Sequence, residues 1–100
     1  MGELSRYRAE FLIGDARTFD PSDQTPPDGE LQWRIERLPI ELETPFKDTK
    51  ARVAVDGPKG KGTFAMAEDS TRAEYFEAAA IFECVLKSLG LTTFDGSGRS

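Results

Sequence analysis

The chain has 100 residues, 38 % hydrophobic and 31 % charged, with a net charge of −5 at pH 7. That composition fits one soluble domain with one modest core, and it argues against broad nucleic-acid binding. The longest uncharged apolar run, Ala78 to Phe82, falls far short of the roughly 20 apolar residues that cross a bilayer.

Two counts narrow the chemistry further. There is no histidine, which removes the commonest general base, the usual triad partner and the commonest zinc ligand. A single cysteine rules out a framework of intramolecular disulfides and fits a reducing, cytoplasmic setting. The N-terminal stretch MGELSRYRAE lacks the apolar segment of a secretory signal.

In chain order, Leu4 to Ile13 alternates, with Tyr7, Ala9, Phe11 and Ile13 on one face and Arg6, Arg8 and Glu10 on the other. This predicts a half-buried strand. Residues 14–29, GDARTFDPSDQTPPDG, are rich in Pro, Gly and Asp and read as a long acidic loop. Its aspartates miss the spacing of a calcium-binding loop, so no metal site is expected. Phe19 is expected to pin the loop to the body.

Leu31, Trp33 and Ile35 alternate with Gln32, Arg34 and Glu36, which predicts a second strand with Trp33 inward. Beyond Pro39 the apolar phase shifts to Ile40 and Leu42, so a bulge or bend near Arg37 to Pro39 is expected on an edge strand. Ala51 to Asp56 and Thr63 to Ala67 read as strands three and four, a hairpin closed by Gly57-Pro58-Lys59-Gly60-Lys61-Gly62.

Thr71 to Leu89 is the most strongly signalled element. Thr71 and Glu74 fit a capping box, and Gly90 followed by Leu91 fits a left-handed C-terminal cap with Leu91 packed on Leu86. At about 100° per residue, Tyr75, Ala78, Ala79, Phe82, Val85, Leu86 and Leu89 share one stripe. Nearly opposite lies a second apolar row, Phe76, Ala80 and Cys84, flanked by Glu77 and Glu83. A single core does not need that second row.

Candidate chemistry is sparse. Cys84 has only Lys87 as a basic neighbour one turn away, so an activated thiolate is not expected. In the hairpin loop, Lys59, Gly60 and Lys61, with Arg52 nearby, would suit a phosphate or a nucleic-acid backbone; the loop joins two strands and so is not a P-loop. Val53 to Ala67 resembles a glycine-lysine hairpin of a mitochondrial cytochrome oxidase assembly family. That likeness is confined to the hairpin and implies no activity.

The sequence therefore predicts an α+β two-layer sandwich, ββββα. An antiparallel four-stranded sheet packs on one long C-terminal helix as a single domain over residues 1–94, followed by a disordered tail at 95–100. The functional expectation is a small acidic non-enzymatic interaction protein: an inhibitor, an immunity or adaptor protein, or an accessory subunit. It needs no cofactor and no membrane. It would bind a protein partner, or pair as a homodimer, through Phe76, Ala80, Cys84, Glu77 and Glu83. The alternative is anion or nucleic-acid binding through Arg52, Lys59, Gly60 and Lys61.

Overall fold

A computed structural model describes residues 8–18, 28–56 and 60–95. Six elements follow one another: β1 (Arg8–Asp15), α1 (Gly29–Glu43), β2 (Ala51–Asp56), β3 (Lys61–Met66), α2 (Arg72–Ser88) and β4 (Leu91–Asp95). The strands form one antiparallel sheet in the order β2-β3-β1-β4. This β-α-β-β-α-β succession, with each helix crossing over a strand, is the split βαβ arrangement of ferredoxin-like sandwiches.

The fold class, α+β with a four-stranded antiparallel sheet, is as expected; two details are corrected. The first is the stretch around Trp33, which is helix rather than strand. Leu31, Ile35, Leu38 and Leu42 recur at helical spacing, and the last three are buried. Asp28 caps the helix by accepting from the Leu31 amide at 2.8 Å. Side chains one turn apart then brace it: Gln32 donates to Glu36 at 2.8 Å, and Arg37 pairs with Glu41 at 2.6 Å. Pro39 lies inside the helix, where it withdraws the donor that the Ile35 carbonyl would use, at a cost of about 3 kcal/mol. Burial of the leucine stripe outweighs it.

The second correction is at the other end. α2 is not the last element, because Gly90, at φ +68°, turns the chain directly into β4. Its amide donates to the Lys87 carbonyl at 3.1 Å, one of the two bonds of the expected cap. β4 then pairs along β1 from Leu91↔Asp15 to Asp95↔Phe11. The β-branched pair Thr92-Thr93 suits a strand, and Asp95 belongs to β4 rather than to the tail.

Both helices lie against one face of the sheet, which contributes Phe11 and Ile13 of β1, Ala51 of β2, Phe64 and Met66 of β3 and Leu91 of β4 to the core. Aromatic rings link the layers. Phe82 of α2 sits 5.3 Å from Phe11 and 5.4 Å from Phe64 between ring centroids, and Phe46 meets Phe64 edge-on at 6.0 Å. The Phe11 ring lies over Gly62, where a Cβ would stand 2.6 Å from Phe11 Cζ. A larger residue there would displace the ring.

Arg34 of α1 ties three elements at one end of the sandwich. Its guanidinium donates to Asp15 at the end of β1 at 2.8 Å, and to the carbonyls of Leu89 and Gly90 after α2 at 3.0 and 3.1 Å. Glu30 completes the pairing at 2.9 Å. The charged residues of the predicted strands are accordingly split between the open sheet face and α1. Arg8, Arg52 and Asp56 are exposed on the sheet, whereas Arg34 and Glu36 lie on α1.

Candidate functional site

Among the described residues, the large exposed apolar groups are on the outward surface of the helical layer. Phe76, Ala80 and Cys84 recur every four residues along α2 and all three are exposed, as are Glu77 and Glu83. Phe76 is 61 % exposed, and its ring lies 5.5 Å from that of Tyr75. Helical geometry spreads these five residues around the outer half of α2. Ala80 and Cys84 point furthest outward, Phe76 and Glu83 share one flank, and Glu77 takes the other.

Beside the Phe76 flank runs an open groove of about 440 Å³ between α2 and the sheet. Tyr75, Ala79, Phe82 and Glu83 line its helix side, and Ala9 and Phe11 of β1 line its sheet side. Tyr75 therefore connects the exposed Phe76 ring to a partly apolar groove whose rim carries Glu83. Ala9, expected inward, is exposed here. Phe19, expected to pin the acidic loop to the body, lies outside the described residues.

A second apolar surface is on α1 and escapes strand-based reading altogether. Trp33 is 59 % and Ile40 57 % exposed, both on the side away from the buried leucines. The Arg37 guanidinium stacks over the Trp33 ring at 5.2 Å and pairs with Glu41. α1 carries four glutamates against two arginines, and both arginines are already ion-paired. The Trp33–Ile40 surface is thus apolar with an acidic surround. The signal available in the sequence was the Leu31–Ile35–Leu38–Leu42 stripe, which leaves Trp33 and Ile40 on the opposite side.

The hairpin residues proposed for anion binding are dispersed. Gly60, at φ +66°, is buried; its carbonyl accepts from the Ile13 amide at 2.7 Å, and a Cβ there would stand 2.9 Å from the Ile13 carbonyl oxygen. With Gly62 under Phe11, both glycines answer to packing. Lys61 and Arg52 are exposed at opposite ends of the β2–β3 pair, opposite Asp56 and Ala65 respectively, and Lys59 lies outside the described residues. On the open sheet face, the β1 and β3 positions facing away from the helices are Arg8, Glu10, Leu12, Lys61, Thr63 and Ala65. None offers the aromatic platform on which ferredoxin-like RNA-binding sheets stack bases.

Among the described residues no group of three His, Cys, Asp or Glu side chains could hold a metal ion, and no helix is long and apolar enough to cross a membrane. Compared with known proteins, the chain matches no family model, no curated protein and no solved structure.

Proposed function

We propose that this chain is a small non-enzymatic interaction module, an inhibitor, adaptor or accessory subunit, that binds a protein partner through the outer surface of its helical layer. One observation carries the reading. Three large apolar side chains, Trp33, Ile40 and Phe76, are more than half exposed on the two helices, and none of them belongs to the buried core. Exposed aromatic side chains of this size are the groups that anchor protein interfaces. The partner surface complementary to them is apolar with basic residues around it, to meet Glu36, Glu77 and Glu83.

Cys84 is the single cysteine of the chain and is exposed within the Phe76–Ala80–Cys84 row. A photo-crosslinking maleimide attached there should capture a defined partner in lysate of the native source. Phe76→Asp should abolish that capture. A labelled chain that captures nothing, or captures the same protein with Asp at 76, would refute the reading.

A further inference from the structure

We infer that β2 is a self-complementary edge strand through which two copies of this chain pair, antiparallel and about a two-fold axis at Ala54. This surface is separate from the helical one, and the inference does not depend on it.

The backbone fixes which groups are available. β2 is the first strand of the sheet order and, among the described residues, pairs on one side only, with β3. The Ala67 amide donates to the Lys50 carbonyl at 3.0 Å, so residue 50 turns its backbone groups toward β3. By alternation residues 52, 54 and 56 do the same, while 51, 53 and 55 turn theirs out of the sheet. At position 51 local partners serve: the amide donates to Thr49 Oγ1 at 3.2 Å and the carbonyl accepts from Arg52 at 3.0 Å. Val53 and Val55 present their N–H and C=O groups outward. No proline interrupts β2, and its register with β3 runs without a bulge from Ala51↔Met66 to Asp56↔Lys61, so neither of these two devices blunts the edge.

The side chains then select one occupant and one register. From Arg52 to Asp56 the strand reads Arg-Val-Ala-Val-Asp, symmetric in its apolar residues and opposite in charge at its ends. With the two-fold axis at Ala54, Val53 lies opposite the partner's Val55, and these are the residues whose backbone groups face out. Each such pair exchanges both N–H···O=C bonds, four across the axis. The same register sets Arg52 against the partner's Asp56, twice, on the open face. Ala54 meets its own copy where side chains approach most closely, and only a methyl has to fit. Val53 and Val55 are half-buried on the helix-covered face, and the partner's valines extend that apolar layer. In a chain of net charge −5, this strand carries one cation and one anion. Shifting the register by one residue sets inward-facing groups against outward-facing ones. The arrangement is an isologous contact that closes as a dimer.

The test is charge reversal read by sedimentation or light scattering across a concentration series at low ionic strength. Wild type should be dimeric. Arg52→Asp alone sets Asp against Asp twice, and Asp56→Arg alone sets Arg against Arg twice; each should raise the dimer dissociation constant roughly tenfold or more. An equal mixture of the two variants should form a heterodimer, and the double variant Arg52→Asp/Asp56→Arg should recover the homodimer. Those two restorations also show that neither substitution unfolds the chain. Phe76→Asp should leave the dimer intact. A wild type monomeric at every concentration, single variants that stay dimeric, or a mixture that fails to pair would each overturn the inference. So would a dimer that Phe76→Asp dissociates. None of these results bears on partner capture at Cys84.

Discussion

The two helices share one layer but are held there by different means. α2 closes itself: Thr71 Oγ1 accepts from the Glu74 amide at 3.1 Å, the Glu74 carboxylate accepts from the Thr71 amide at 2.8 Å, and Gly90 ends the helix. α1 has an N-terminal cap in Asp28 but contains a proline and has no basic residue in its last turn. It is helical because Ile35, Leu38 and Leu42 are buried against the sheet and because Arg34 binds it to the ends of β1 and α2. Local signals specify one helix, and tertiary burial specifies the other.

That contrast breaks first in the core of α1. Leu38→Ala removes a fully buried side chain from a helix whose geometry depends on burial. It should cost about 2–5 kcal/mol, seen as a lower urea midpoint. Loss of helical circular dichroism beyond that of an equally destabilised α2 variant would show that α1 has little helical preference of its own. An unchanged midpoint would contradict the packing described here.

Next comes the Arg34 tie. Arg34→Met keeps an apolar stem but gives up charge-assisted bonds to Asp15 and to the Leu89 and Gly90 carbonyls. Each hydrogen bond to a charged group contributes about 1.5–3 kcal/mol, less here because the end of the sandwich is partly open to water. The same cluster sets an acid dependence. Donors from Arg17, then Arg34, hold the Asp15 carboxyl well below the usual carboxylate range. The unfolded chain, with an ordinary Asp near pKa 3.9, therefore binds more protons in acid than the folded one. The stabilisation is complete above that value and is lost as pH falls through the folded pKa. Thermal midpoints should drop on acidification below about pH 4, and Asp15→Asn should flatten that drop. A wild-type curve that Asp15→Asn leaves unaltered would remove Asp15 from the account.

The same division explains what the sequence made legible. α2 was readable from Thr71, Glu74 and Gly90, and the β2–β3 hairpin from the alternation of its two neighbouring strands, because in both the determining contacts are local. α1 reads as a strand in the sequence, but the alternation of Leu31, Trp33 and Ile35 is coincidental. Two of those residues belong to a stripe continued by Leu38 and Leu42, while Trp33 is on the far side. Pro39 reinforced the wrong choice, since the burial that offsets it depends on contacts distant in sequence. β4 was missed because a cap that ends a helix says nothing of what begins one residue later. The site followed suit: Phe76, Ala80 and Cys84 were found outward on the readable helix, and Trp33 and Ile40 were assigned inward on the other.

The smallest expected effect separates an interface from a core most cleanly. Phe76 and Phe82 are the same residue type on the same helix, one exposed and one packed against Phe11 and Phe64. Phe82→Ala should cost about 3–5 kcal/mol. Phe76→Ala gives up one ring contact with Tyr75 in water, and Trp33→Ala one stacked guanidinium, so each should cost less than about 1 kcal/mol. Ile40→Ala has no ring partner to lose and should stay within about 0.5 kcal/mol. Denaturant titration of the four variants checks the order. A folded chain that keeps its stability with Ala at 33, 40 and 76 but loses partner capture has spent those side chains on association, because truncating groups that support the core would lower the unfolding midpoint as well.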